Sequence, residues 1–277
     1  MKRAAFPGFA FFLLISLASL LNTGCSPAPP SHGTAFLVLV ATNQQNLASD
    51  SENALARTRE VLRKRVEKAG FDSPFFQMTN DGQLTILVSS RLESNIATLR
   101  QLIERSGVLE FRMVHPESEE LLRDNIIEPG YEILRDLKPR ILPDGSKSFQ
   151  QFLVSRKPAT GTIGEKKLPM TGQYLKKVIV SYEPLTKQPD ISFELNAEGA
   201  ELFRQITREF SPKGKKYYQL AIVLDGVLCS APRIVHEIPG GRGLITGNFT
   251  SQEAIELASI LQDPLPTPLK IIEVKQY

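Results

Sequence analysis

Two cysteines, three histidines, one glycine-rich run and several lysine pairs are the residues of this 277-residue chain whose types could do chemistry. His32, His115 and His236 hold no metal-ligand spacing to one another or to Cys25 and Cys229, and no His-Glu-x-x-His run occurs, so no bound metal is expected. Residues 240–243 read Gly-Gly-Arg-Gly, but a β-prone segment follows them. No helix N-terminus therefore waits there for a phosphate, and the run reads as a tight turn. A Gly-x-Ser-x-Gly nucleophile elbow is absent. Asp225 could act as an acid, yet with Gly226 it stands between two β-prone runs, where a hairpin turn asks for that pair. Lys166, Lys167, Lys176, Lys177 and the lysines of 213–216 lack the interleaved aromatics of a single-strand nucleic-acid platform, and they read as solvated loops. Cys229 lies in an apolar strand pattern, where a lone cysteine is a small buried hydrophobe. The expectation is a protein without catalysis, cofactor, small-molecule substrate or nucleic-acid partner.

The composition, 42% hydrophobic and 23% charged, is that of a globular chain and excludes a mainly disordered one. A formal charge of +3 is too small to imply a nucleic-acid partner. Residues 35–41 form a continuous β-prone run. Ser49 and Glu52 offer a capping box, and Leu55, Thr58, Val61, Leu62, Val66 and Ala69 then recur at helical spacing up to Gly70. Strands at 74–78 and 84–88 flank the turn residues Asn80, Asp81 and Gly82. A second helix carries Ile96, Leu99, Leu102 and Ile103 and closes at Gly107, and 108–114 alternates like a strand. That order is a split βαβ, so residues 35–114 are expected to form a ferredoxin-like base. Residues 115–170, Pro/Gly-punctuated and polar, are expected to be an irregular connector.

Order returns in strands at 178–182 and 191–195, with Asn196 as N-cap to a helix striped by Ala200, Phe203, Ile206 and Phe210. The runs 220–224 and 227–230 around Asp225-Gly226 predict a hairpin, and Pro232 favours an edge position. Thr250 and Glu253 form a capping box before Ala254, Leu257, Ala258 and Leu261. Pro264, Pro266 and Pro268 precede a last strand at 269–274. The predicted fold class is α+β: a base, an inserted α+β head at 171–262, and a return to the base over 263–277.

The N-terminus has its own pattern. Lys2 and Arg3 precede an apolar stretch over 4–21, followed by Gly24, Cys25 and a proline-rich segment. This describes a secretory signal over 1–24 and a tether over 25–34. Gly24-Cys25 resembles the lipobox of bacterial lipoproteins, although Asn22 stands where leucine is commonest. The resemblance implies acylation of Cys25 and an envelope location, with Ser26 permitting sorting to an outer membrane. An uncleaved membrane anchor and plain secretion are the alternatives.

The C-terminal half resembles the first periplasmic domain of SecD, the accessory subunit of the bacterial Sec translocon. The residues that carry the resemblance are 191–200 (Ile-Ser-Phe-Glu-Leu-Asn-Ala-Glu-Gly-Ala) with Phe203 and Thr207, then 220–226 (Leu-Ala-Ile-Val-Leu-Asp-Gly). Ser230-Ala231-Pro232, residues 245–249 (Ile-Thr-Gly-Asn-Phe), Glu253-Ala254 and Leu265-Pro266 follow in the same order. Arg65-Val66 before Gly70, residues 109–112 and residues 170–172 are similar to the same family. The resemblance marks Asp225, Gly226, Ser230, Ala231, Pro232, Gly247, Asn248 and Phe249 as family-motif residues, structural or client-facing. It implies a base near the membrane, a head that meets exported polypeptide or translocon subunits, and hinges at 115–120 and 262–268. SecD continues into transmembrane helices carrying ionisable groups, whereas this sequence ends at Tyr277, so passive capture of extended chain beside the Pro232 strand is expected. A structural lipoprotein adaptor for a fixed envelope complex, with no export role, is the alternative.

Overall fold

Helix α1 (Ser51–Lys68) follows strand β1 (Thr34–Thr42), and Thr58, Leu62, Arg65 and Val66 of the helix, with Ala69 just after it, are buried at helical spacing. Gly70, at φ 86°, ends it in the left-handed conformation that a residue without Cβ adopts at least cost. Strands β2 (Phe71–Met78) and β3 (Leu84–Ser90) and helix α2 (Ile96–Glu104) come next. The chain then leaves this layer and returns only with its final strand. The computed structural model describes residues 34–42, 51–78, 84–90, 96–142, 144–212, 214, 216–266 and 268–276. Cys25, the Ser49 cap and the turn at 80–82 lie outside the described residues.

The inserted segment begins with β4 (Leu109–Met113), helix α3 (Ser118–Arg123) and β5 (Tyr131–Arg135). The short strands β6 (Arg140–Ile141), β7 (Lys147–Ser148), β8 (Gln151–Ser155), β9 (Thr160–Ile163) and β10 (Lys166–Pro169) follow. Next are β11 (Leu175–Tyr182), β12 (Pro189–Leu195) and α4 (Ala197–Glu209), then the hairpin β13 (Leu220–Leu224) and β14 (Val227–Ser230). Strand β15 (Arg242–Ile245), helix α5 (Ser251–Gln262) and β16 (Leu269–Gln276) complete the chain. All described strand pairs are antiparallel, and the described residues belong to one compact unit.

The first sheet runs in the order β16-β1-β3-β2. Leu84, Ile86 and Val88 of β3 alternate onto the face that also buries Leu62 and Val66 of α1 and Leu99, Leu102 and Ile103 of α2. Each such fully buried aliphatic side chain contributes about 1.5–3 kcal/mol. Here the structure departs from expectation. Strand β4, expected to close the base within 35–114, pairs instead with β13, Phe111 opposite Ile222, in the sheet β14-β13-β4. The reason is burial on both faces. All five residues of β13 are buried, so the backbone N–H and C=O groups along both of its edges must find partners away from water; β14 supplies one edge and β4 the other. The place left beside β1 is taken by β16.

Residues 115–170 also differ from the irregular connector expected. They hold α3 and the hairpins β6–β7 and β9–β10, with β8 returning to pair with β5. Phe152, Leu153 and Val154 are buried, enough to anchor short strands too brief to show a period in sequence. A second three-stranded sheet of the insertion has the order β11-β12-β15. Its inner face brings Phe193 against Phe111 and Phe203 of α4, with ring centroids 5.7 and 6.3 Å apart. Asn196 caps α4 by accepting from the Gly199 N–H at 2.8 Å, and Thr250 and Glu253 form the reciprocal box expected on α5.

The crossing between layers lies at 105–108 and 263–268, so the expected hinge at 115–120 falls inside the insertion. Arg65 is buried at this crossing. Its guanidinium donates to the carbonyls of Leu102 in the last turn of α2 and of Arg105 and Ser106 just after it, at 2.9, 2.5 and 3.1 Å. It donates as well to those of Ile260 and Asp263 at the end of α5, at 3.4 and 2.8 Å. One side chain thus satisfies the orphan carbonyls of two helix C-termini. Burial pulls its pKa down to about 10 against the opposing pull of Asp225 and Asp263, which leaves it charged at neutral pH. Gly107 packs against it at φ 87°, where a Cβ would stand 2.7 Å from the Ile260 oxygen.

Candidate functional site

The hairpin β13–β14 places five of the eight motif residues at or just beyond its two ends. At the turn, Asp225 and Gly226 have φ of 50° and 77°, both positive as a two-residue hairpin turn demands. The Asp225 carboxylate does more than fit the turn. It accepts from the Gly107 N–H at 3.0 and 3.1 Å and from the Val108 N–H at 3.0 Å, while its own N–H donates to the Val108 carbonyl at 2.9 Å. Asp225 therefore fastens the hairpin to the segment after α2, within the electrostatic reach of Arg65.

At the opposite end, Ser230, Ala231 and Pro232 form one wall of a cleft of about 520 Å³. Gly247 and Asn248, with Thr246, form a second wall, and the connection between β11 and β12 forms a third through Glu183, Thr186, Gln188 and Asp190. Asp136, Lys138 and Phe152 complete it. A Gln188 Nε2 to Asn248 Oδ1 hydrogen bond of 2.8 Å ties two walls together. Gly247 is required because a Cβ there would stand 2.7 Å from the Phe249 ring. Phe249 itself is buried in the core, and so it shapes the wall from behind.

The polar groups of the cleft are unequally satisfied. Glu183 accepts from the N–H groups of Leu185 and Thr186 at 3.0 and 2.5 Å, and these bonds hold its carboxyl below the usual range. Lys138 pairs with Glu253, the acid that also caps α5. Asp190 has no hydrogen bond or ion pair to its carboxylate among the described residues. Partial burial and then the neighbouring Glu183 push its pKa up. The Ser230 hydroxyl is buried and has no partner among the described residues. Burial raises the Cys229 thiol to about 11, which keeps it a neutral, unreactive part of the wall.

The edge at Pro232, expected to be open for strand addition, is partly occupied. Asp136 bridges to Leu228, the Leu137 N–H donates to the Leu228 carbonyl at 3.0 Å, and the Leu220 N–H donates to the Pro232 carbonyl at 3.0 Å. Strands β11 and β15 are the end members of their own sheet. His115 has a packing role: it stands edge-on to Tyr131 at 4.9 Å and 3.3 Å from Glu128. Among the described residues no group of three or more His, Cys, Asp or Glu side chains could hold a metal ion, and no helix is long and apolar enough to cross a membrane.

Sequence reasoning missed Asp136, Glu183 and Asp190, which are scattered over segments where neither period nor motif marks an acid. It also passed over Arg65 as a structural centre, although a charged residue within the apolar stripe Leu62, Val66, Ala69 was a readable signal.

Residues 149–266 match the family model described as SecDF, P1 head subdomain. The protein translocase subunit SecD of Rickettsia prowazekii (strain Madrid E) is 33% identical over 215 residues, which cover 77% of this chain and 37% of that protein. The SecD of Aquifex aeolicus (strain VF5) is 32% identical over 239 residues, covering 86% and 42%. The chain thus spans about two fifths of the length of these relatives. A solved structure reported under "Structure and function of a membrane component SecDF that enhances protein export" has 25% identity and a TM-score of 0.55, covering 86% of this chain and 99% of that one. A structure of SecDF in a super-membrane-facing form has a TM-score of 0.60 at 22% identity, covering 91% of this chain and 32% of that one, and shows the shared fold.

Proposed function

From a chain that carries a periplasmic domain of the SecD type, we propose a non-enzymatic accessory of protein export that holds translocating or unfolded polypeptide in the cleft between Ser230–Pro232 and Gly247–Asn248. The observation that carries this reading is the convergence of motif residues, separate in sequence, on one open concavity of about 520 Å³, within the size range of ligand-binding clefts. In this reading the sheet β16-β1-β3-β2 is a ferredoxin-like base, since last-first-third-second is the strand order of that fold. The insertion is the head. The domain faces the periplasm, Cys25 bears the lipid that attaches the chain to a membrane, and the Sec translocon is the neighbour.

A photo-crosslinking residue placed at Asn248 in the full-length protein tests the reading in native envelopes holding a stalled export substrate. Adducts with the substrate are expected from Asn248 and not from a control at Leu142, an exposed residue outside the cleft. Adducts with a single resident envelope protein, and none with the substrate, would replace export by the adaptor role. Cys25→Ser in the same preparation is expected to release the protein from the membrane fraction.

A further inference from the structure

Among the described residues that line the cleft, Glu183 and Asp190 lie close enough to act on each other, and their state points to the chemistry of what binds. Asp136, Glu183 and Asp190 line it against a single lysine, Lys138, which already faces Glu253. The three carboxylates do not gather into a metal site, since no such grouping occurs among the described residues. They are distributed around the cleft. Two groups are left wanting a partner: the Asp190 carboxylate, which lies beside Glu183 without a cation, and the Ser230 hydroxyl, nine-tenths buried at the wall and without a hydrogen bond. A buried hydroxyl without a partner is unfavourable, and a carboxylate beside a like charge is relieved by a donor carrying positive charge. Ala231, Pro232 and Phe152 supply apolar surface beside these groups, suited to an aliphatic stem that ends in a charge.

We infer that this cleft selects extended polypeptide carrying lysine or arginine, with Asp190 receiving the cationic head and Ala231 and Pro232 packing along its stem. The inference rests on the polypeptide-binding reading and adds selectivity to it. Glu183 contributes the neighbouring negative charge, and Ser230 becomes hydrogen-bonded when the cleft is filled.

Fluorescence anisotropy of the full-length protein with three unstructured peptides tests it. The peptides share their apolar residues and differ at two guest positions, which are lysine, glutamine or glutamate. At low salt the lysine peptide is expected to bind about threefold tighter than the glutamine peptide, the scale of one partly screened ion pair, and the gap should narrow as salt is added. The glutamate peptide should bind weakest. Asp190→Asn is expected to bring the lysine peptide down to the level of the glutamine peptide, whereas Glu119→Gln, on α3 outside the cleft, should leave the preference intact. Equal binding of all three peptides would overturn the selectivity and leave polypeptide capture standing. No binding by any peptide would overturn both. A lysine preference that survives in Asp190→Asn would overturn the assignment to this cleft.

Discussion

One hairpin, β13–β14, has a saturated end and an unsaturated end. At its turn, the Asp225 carboxylate receives the N–H groups of Gly107 and Val108, and the nearby Arg65 guanidinium donates to five backbone carbonyls drawn from two helix ends and the segments after them. At its other end, Ser230 has no partner and Asp190 faces a like charge. Both ends carry motif residues, so motif membership alone does not separate structure from function. Hydrogen-bond completeness does. A polar group that is fully answered within the chain positions the fold, and a group left unanswered beside a cleft is available to something else.

The sharpest way to break this contrast is to remove the guanidinium. Arg65→Met keeps an unbranched apolar stem but leaves the carbonyls of Leu102, Arg105, Ser106, Ile260 and Asp263 without their donor. Since several buried acceptors are orphaned together, a loss of about 3–5 kcal/mol is expected, offset in part by no longer burying a charge. Urea unfolding followed by circular dichroism measures it. A loss below about 1 kcal/mol, the range of an ordinary single hydrogen bond, would mean that the joint does not depend on Arg65.

A smaller effect is expected from Asp225→Ala. Two contributions add: the carboxylate's bonds to Gly107 and Val108 disappear, and alanine must adopt the φ of 50° that aspartate tolerates better. Together they should cost about 2 kcal/mol. Asp225→Asn separates the two, because asparagine also suits the turn and keeps one acceptor oxygen, so it should recover more than half of the loss. If alanine and asparagine are equally damaging, the negative charge toward Arg65 matters more than the backbone bonds.

Local features were readable from residue order because their causes are local. Asn196, Thr250 with Glu253, and Asp225 with Gly226 each act within a few residues, and each stands where the pattern placed it. Pairing was not readable, because it is settled by residues far apart. The alternation over 109–113 identifies a strand, but only the complete burial of 220–224 decides that β4 joins β13 and leaves the position beside β1 to β16. The short strands of 131–169 carry too few residues for a period to emerge. For the cleft, five motif residues (Ser230, Ala231, Pro232, Gly247 and Asn248) proved to share one concavity, while the acids that give it charge came from segments that no motif distinguishes.

The smallest expected effect on stability is also the most informative, and it concerns Asp190. Its pKa is raised in the folded protein, by burial and by Glu183, above that of an unfolded aspartate. An acid shifted in that direction disfavours the folded state at any pH above both values, and the penalty is relieved as pH falls through the folded pKa. Removing the charge with Asp190→Asn should therefore leave stability at neutral pH unchanged or slightly higher, within about 0.5 kcal/mol as for other surface substitutions. The difference from the parent should shrink as pH falls through the raised folded pKa toward the ordinary aspartate value, where the Asp190 side chain becomes protonated in the folded protein. Thermal unfolding of the two proteins between neutral pH and pH about 4 measures this, the lower limit being set by the ordinary aspartate pKa. A clear loss of stability at neutral pH would place Asp190 with Asp225 among the groups that hold the fold. A neutral or stabilising result would identify a carboxylate that the fold retains without needing it, which is the physical signature expected of a group kept for binding.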